Sequence, residues 1–272
     1  PNGSFTRSKQ IFISADSICE DVSAVFFDVD SDGDQDLLVG SGGYDNFMPQ
    51  DPSLQSSLYL NKGKGIFEKA SNMLPQMNTA VGCIAVGDVN GDQAPDIFIG
   101  GRSTPGHYPE PPASFLLLNN GKGNFSDVTT SMAPSIGRAG MFTDAVFCDI
   151  NNDGQPDLIT IGEWMPIKVW INNKGRLEDK TSVYFAKEYT GWWNKLLVDD
   201  LNADGKPDLL VGNYGLNMQC KASDDRPLEL YYKDFDDNGS VDPIFCFYIQ
   251  GKTYPYVSRD ELLDQISSMR PK

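Results

Sequence analysis

The feature that most constrains this chain is an acidic nonapeptide that recurs along it. Four copies superimpose: Asp28-Val-Asp-Ser-Asp-Gly-Asp-Gln-Asp36, Asp88-Val-Asn-Gly-Asp-Gln-Ala-Pro-Asp96, Asp149-Ile-Asn-Asn-Asp-Gly-Gln-Pro-Asp157 and Asp200-Leu-Asn-Ala-Asp-Gly-Lys-Pro-Asp208. A fifth, Asp234-Phe-Asp-Asp-Asn-Gly-Ser-Val-Asp242, has the same pattern. The first four begin 60, 61 and 51 residues apart, and the fifth follows after 34. Such a period marks an array of small supersecondary units, each unable to bury its hydrophobic face alone.

Short apolar runs flank the first four copies. Ala24–Phe27, Ile84–Val86, Ala145–Phe147 and Leu196–Val198 precede them, and Leu37–Val39, Ile97–Ile99, Leu158–Ile161 and Leu209–Val211 follow. Runs this short, rich in Val and Ile and bounded by turn residues, read as strands A and B of a hairpin. Further on come Leu58-Tyr-Leu-Asn-Lys-Gly-Lys-Gly-Ile-Phe67, Leu116-Leu-Leu-Asn-Asn-Gly-Lys-Gly-Asn-Phe125 and Val169-Trp-Ile-Asn-Asn-Lys-Gly-Arg-Leu177. Asn/Gly turns between apolar runs signal a second hairpin, strands C and D. Four antiparallel strands per repeat describe a propeller blade, so the expected fold is an all-β, partial β-propeller with a short C-terminal helix.

The spacing predicts blades at about 22–70, 82–130, 143–182 and 194–250, within a run of blades over 1–257. Counting from Asp28 to Asn61 and from Asp88 to Asn120 puts the fifth acidic loop where the fourth blade's C–D turn belongs. It is therefore expected in a different hairpin, not in a fifth blade. Asn2-Gly3-Ser4-Phe5 matches a C–D turn, so residues 1–14 read as the end of a preceding blade. Ser258-Arg-Asp-Glu261 is a capping box before Leu262, Leu263, Ile266 and Met269, so 258–272 reads as a short helix opening a truncated segment.

Positions 1, 3, 5 and 9 of each loop carry oxygen-bearing side chains. They are Asp28, Asp30, Asp32 and Asp36; Asp88, Asn90, Asp92 and Asp96; Asp149, Asn151, Asp153 and Asp157; Asp200, Asn202, Asp204 and Asp208; and Asp234, Asp236, Asn238 and Asp242. Hard divalent cations take six to eight oxygens, and Ca2+ tolerates irregular geometry. Carboxylates packed this closely repel one another unless a cation sits among them. The pattern therefore predicts Ca2+, up to five ions. An EF-hand is excluded, because position 12 holds Val39, Ile99, Thr160, Val211 and Phe245 in place of its closing Glu. The second loop departs from the rest, with Gly91 at position 4 and Gln93 at position 6. It is expected to be the weakest site.

Composition narrows the partners. The 272 residues carry 38 acidic against 22 basic side chains, a formal charge of −16, which repels phosphate backbones and anionic lipid heads. No apolar run approaches a membrane span. The five cysteines lack metal-binding spacing and read as small buried hydrophobes, with one disulfide open in an oxidising compartment. There is one His, no GxSxG, no HExxH and no phosphate-cradling Gly loop, so no enzyme is expected.

With these motifs the chain resembles the FG-GAP/VCBS repeat family, which includes the calcium-binding blades of integrin α-subunits. Gly162-Glu-Trp-Met-Pro166, Gly191-Trp-Trp-Asn194 and Gly101-Arg-Ser-Thr-Pro-Gly-His-Tyr-Pro109 are similar to bacterial VCBS-repeat surface proteins related to cartilage acidic protein, which often carry an ASPIC/UnbV module. The resemblance implies a secreted or cell-surface β-propeller with structural calcium and no agreed catalytic activity. Loops of this kind bind Ca2+ at ~10⁻⁴–10⁻³ M, which also points outside the cytoplasm. Of the sequons at Asn2, Asn124 and Asn238, the last is itself a loop ligand, which suits a bacterial surface protein.

In a blade, the A–B and C–D turns emerge at one end, and the B–C loops and D–A linkers at the other. The second end should gather Arg102, His107, Tyr108, Arg138, Trp164, Trp192 and Tyr214, candidates for a protein or glycan contact surface. The expected role is an extracellular, calcium-stabilised binding module. The alternative is a noncatalytic part or scaffold of a polysaccharide-processing enzyme.

Overall fold

Each acidic nonapeptide joins two antiparallel strands in one register: the residue before the loop faces its ninth position. Phe27 pairs with Asp36, Gly87 with Asp96, Cys148 with Asp157, Asp199 with Asp208 and Lys233 with Asp242. The computed structural model describes residues 3, 8–43, 45–215 and 218–270. The first unit is β1 (Asp21–Phe27), β2 (Asp36–Ser41), β3 (Ser57–Asn61) and β4 (Phe67–Lys69), hydrogen-bonded in that order, preceded by α1 (Ile11–Ala15). The second repeats it with β5 (Ala80–Gly87), β6 (Asp96–Ser103), β7 (Phe115–Asn119) and β8 (Phe125–Asp127), followed by the single turn α2 (Thr129–Met132). The third has β9 (Met141–Cys148), β10 (Asp157–Pro166), β11 (Lys168–Asn173) and β12 (Arg176–Asp179), then α3 (Thr181–Tyr184).

Beyond this the pattern changes. Strands β13 (Thr190–Asp199) and β14 (Asp208–Asn213) pair with each other, and β13 also pairs with the far half of β10. Strands β15 (Glu229–Lys233), β16 (Asp242–Ile249) and β17 (Lys252–Pro255) form a separate three-stranded sheet. The span 194–250 expected to form one blade thus holds the β13–β14 hairpin and, among the described residues, a separate three-stranded sheet. The fifth acidic loop lies in the first hairpin of its own sheet, in A–B register, because β15 pairs with β16 and, among the described residues, not with β14. After β17 comes α4 (Arg259–Gln265), where the N-cap Ser258 and Glu261 form a reciprocal capping box, and then a 3-10 turn over Ser267–Met269.

At the N-terminal end, Pro1, Asn2 and 4–7 lie outside the described residues, and with them most of the expected C–D turn. The following segment is not a strand: α1 docks on β4. Gln10 donates to the Gly65 carbonyl at 2.7 Å and accepts from the Phe67 N–H at 3.2 Å, while Ile13 packs with Leu37, Val39 and Tyr59.

The core lies between the sheets. On β6, Ile97 and Ile99 face the first unit and pack with Leu38, Leu58 and Val81, while Phe98 faces the third and packs with Phe142, Leu158 and Trp170. On β10, Leu158 turns back to the second unit, while Ile159 and Ile161 meet Leu196, Leu209 and Val211. A strand buried on both faces reads as an unbroken apolar run, which is why the strands after the acidic loops do not alternate. Polar staples join the units. Asn119 donates to the Val29 carbonyl at 2.8 Å and Asn172 to the Val89 carbonyl at 2.8 Å, so each C–D turn grips the preceding unit's acidic loop. All five cysteines are free thiols. Among the described residues no helix is long and apolar enough to cross a membrane.

Asn172 is buried and also accepts from Gly175 N at 2.7 Å, whereas its neighbour Asn173 is exposed. Asn172→Ala should therefore cost on the order of 2 kcal/mol in urea unfolding, by orphaning buried backbone groups. Asn173→Ala should stay within about 0.5 kcal/mol of wild type.

Candidate functional site

Two separate clusters stand out, one at each end of the strands. At the loop end, the first aspartate of each nonapeptide folds the turn around itself. Asp28 accepts from the backbone of Asp32 at 3.2 Å and Gly33 at 3.0 Å, and Asp149, Asp200 and Asp234 repeat these bonds at 2.8–3.0 Å. Position 5 then accepts from the N–H of position 7, as Asp32 does from Asp34 at 2.9 Å and Asn238 from Ser240 at 2.8 Å. Local side-chain to backbone bonds of this kind need no tertiary partner, so five like sequences give five like turns.

The second loop keeps this geometry despite its altered sequence. Positions 4 and 6 have left-handed backbone in every copy: Ser31 and Gly33 at φ 63° and 90°, Gly91 and Gln93 at 78° and 70°. Glycine and side chain have changed places at these two positions while the left-handed backbone is kept. Gln93 N still donates to Asp88 at 2.8 Å.

Position 9 is buried in four of the five loops, Asp208 being half-buried, and it is structural. Asp36 accepts from Val29 N at 2.9 Å and from Asn61 N at 2.8 Å, one bond to each oxygen. Asp96 does the same with Val89 and Asn119, both at 2.9 Å, and Asp157 with Ile150 at 3.1 Å and Asn172 at 2.7 Å. Burial pushes the Asp96 carboxyl up to about 6, outweighing the backbone bonds that favour its charge; burial likewise raises Asp36 and Asp157.

Position 3 divides the loops. Asn90 and Asn151 donate to the position-5 carboxylates Asp92 and Asp153 at 2.9 and 3.0 Å, and Asn202 reaches Asp204 at 3.4 Å. In the first and fifth loops position 3 is Asp, which cannot donate when ionised. Oδ1 of Asp30 and Oδ1 of Asp236 are shielded from solvent without a hydrogen-bond partner. In these two loops carboxylate oxygens converge within 4.8 Å of one another, from Asp28, Asp30 and Asp36 and from Asp234, Asp236 and Asp242. Such sets can hold a metal ion. The all-oxygen chemistry suits a hard cation, and the orphaned atoms supply the acceptor that such a cation lacks.

At the opposite end the structure joins five of the seven other candidates. Arg102 donates to one oxygen of the buried Glu163 through Nε at 3.0 Å and Nη2 at 2.6 Å. Tyr108 donates to the other at 3.3 Å and accepts from Trp164 Nε1 at 2.8 Å. Burial and the Glu163 charge push the Tyr108 hydroxyl up to about 12. Trp164 stands 5.4 Å from Trp192, which stacks on Tyr214 at 5.4 Å. His107 and Arg138 are elsewhere, lining a cavity of about 240 Å³ with Glu110. Trp193 turns inward to the core with Ile159 and Leu196. Sequence reading missed Glu163 as the hub, and the Asn119 and Asn172 staples. For the staples a signal was present, the Asn that opens each C–D turn. For Glu163 there was none, since its partners are 61 and 55 residues away.

The repeated hairpins define the class: an all-β repeat protein whose A–B turns carry oxygen-rich acidic loops. The FG-GAP-like repeat model matches residues 28–99, 110–160 and 149–211, well over half of the chain, and the chain belongs to that family. Among solved structures it is similar to the Vibrio cholerae biofilm matrix protein Bap1, at 14% identity and a TM-score of 0.36, over 84% of this chain and 35% of that one. Comparison with curated proteins gives no match.

A non-glycine residue in left-handed backbone carries strain of about 1–2 kcal/mol. Gln93→Gly should therefore raise the free energy of unfolding in urea by roughly 0.5–1 kcal/mol, the added freedom of the unfolded chain offsetting part of the relief. Gly33→Ala, with open space around its Cβ, should lower stability by about 1 kcal/mol through φ alone.

Proposed function

We propose that this chain is a run of β-propeller blades from an extracellular protein, stabilised by Ca2+ in its acidic loops and serving as a binding module for a protein or glycan partner. The observation that carries the calcium reading is the pair of orphaned oxygens, Asp30 Oδ1 and Asp236 Oδ1. Where position 3 is Asn, the loop satisfies itself; where it is Asp, a cation is the missing partner. Asp28, Asp30, Asp32 and Asp36 would hold one ion, and Asp234, Asp236, Asn238 and Asp242 another. The remaining three loops offer the same positions with fewer charges and are expected to bind more weakly. The ion's contribution is charge neutralisation: five divalent ions would move the formal charge from −16 to about −6. Membership of the FG-GAP-like repeat family supports the reading.

The binding role rests on the other end of the strands. Arg102, Tyr108 and Glu163 saturate one another, which suits a rigid support more than acid–base chemistry. A binding surface on loops held by a rigid scaffold follows from this division of labour.

Two melts test the calcium reading. EDTA should lower Tm, since a site at a hundredfold excess over its Kd contributes about 2.7 kcal/mol, on the order of 5–10 °C here. Asp30→Asn should lower Tm in excess Ca2+ but raise it in EDTA, where the amide can donate to Asp32 as Asn90 does to Asp92. An equal shift in both buffers, or a wild-type melt indifferent to EDTA, overturns it.

A further inference from the structure

Between the far half of β10, the start of β13 and the connection after β14 lies a cleft of about 410 Å³ lined by Trp164, Trp192 and Tyr214. Their rings form a ladder, with centroids 5.4 Å apart at each step and planes inclined 39° and 27°. Tyr214 is 46% exposed, so the ladder opens to solvent.

The ladder's first ring is held there against local preference. Trp164 has φ 57°, a left-handed conformation that is an outlier for a bulky side chain, and the β10–β13 register breaks between Glu163 and Met165. Bulges re-aim side chains, and strain of this kind persists only where surrounding contacts enforce it. The enforcing contacts are the Arg102–Glu163–Tyr108 network, through the bond from Trp164 Nε1 to Tyr108. With its N–H satisfied inside the protein, the indole offers only its carbon faces to the cleft. A wedge buried for packing alone would need neither the strain nor the exposure.

The rim is polar. Glu188 and Asp224 line it with Asn213, whose side-chain oxygen accepts from Trp192 N at 3.3 Å; Asp224 is also paired with Lys187 at 2.6 Å. The volume is that of a small-ligand site. A purely apolar ligand would strip Glu188 of water without giving it a donor. A nucleotide, through its phosphate, or an acidic sugar would bring negative charge to carboxylates on a chain of formal charge −16. Flat apolar faces beside hydrogen-bond acceptors suit a ring with C–H groups on its face and hydroxyl donors at its edge.

We propose that this cleft binds an uncharged sugar unit of a polysaccharide, stacked on Trp192 and Tyr214 with hydroxyls donated to Glu188 and Asp224. The proposal rests on the binding-module reading and gives it a ligand class and a place. The test is calorimetric titration and tryptophan fluorescence of the whole chain in Ca2+ with cellohexaose, mannohexaose, chitohexaose and, as the charged counterpart, hexagalacturonate. At least one neutral oligosaccharide should bind and perturb tryptophan emission. Tyr214→Ala and Trp192→Ala should each weaken it about tenfold, while Trp192→Phe retains most of the affinity. Tyr214→Ala, at an exposed position, should melt as wild type does, which separates lost binding from lost folding. Failure of all three neutral oligosaccharides to bind, tighter binding of hexagalacturonate, or indifference to Tyr214→Ala overturns the proposal. Any of these with a Ca2+-dependent melt intact leaves the calcium-stabilised module standing, whereas an EDTA-insensitive melt removes that reading independently.

Discussion

A buried aspartate at the ninth loop position is the interaction on which this fold depends. Asp36, Asp96 and Asp157 each spend both carboxylate oxygens on backbone N–H groups, one in their own loop and one at the end of the third strand. One side chain thus closes the A–B turn and ties it to the C–D hairpin. Hydrogen bonds to a charged group are stronger than neutral ones, and leaving either N–H unpaired would carry its full desolvation cost. The same burial makes ionisation less favourable, and a cation bound by the loop would relieve that tension. In the fourth and fifth loops, among the described residues, this aspartate secures only the loop side, from Leu201 N and Phe235 N, and there the regular four-stranded order ends.

Stacking of the units follows from the strands these loops launch. Ile97 and Ile99 on one side of β6 and Phe98 on the other belong to two different interfaces, so a unit without neighbours would expose both. Burying both sides supplies the hydrophobic driving force, and Asn119 and Asn172 set the alignment with directional bonds that apolar packing lacks.

The two ends of the strands are chemically opposite. One carries clustered carboxylates and tight turns closed by their own backbone. The other carries long connections and an aromatic ladder braced by a charged hub. Strand β10 links these roles: its first half pairs with β11, and its second half, bent at Trp164, reaches β13. The aromatic ladder at the far end is thereby attached to a strand that pairs with β9, β11 and β13.

The acidic loops, their strands and the apolar runs were legible in the residues alone. Each rests on contacts a few positions apart, such as Asp28 with Gly33, which recur wherever the pattern recurs. The difference between Asp30 and Asn90 was equally visible, although its meaning needed the geometry of position 5. The pairing around the fifth loop needed the sheet topology, because counting residues between turns does not say which strand a hairpin pairs with. That the second loop keeps the turn despite Gly91 and Gln93 needed the structure, because the backbone conformation, not the glycine, is the invariant. Tertiary structure alone decided that Arg102 would meet Glu163, that Trp164 would be bent out of its strand, and that Trp192 would stand beside it while Trp193 turned to the core. Those outcomes depend on how whole sheets stack, and no local periodicity encodes a contact between side chains 61 residues apart.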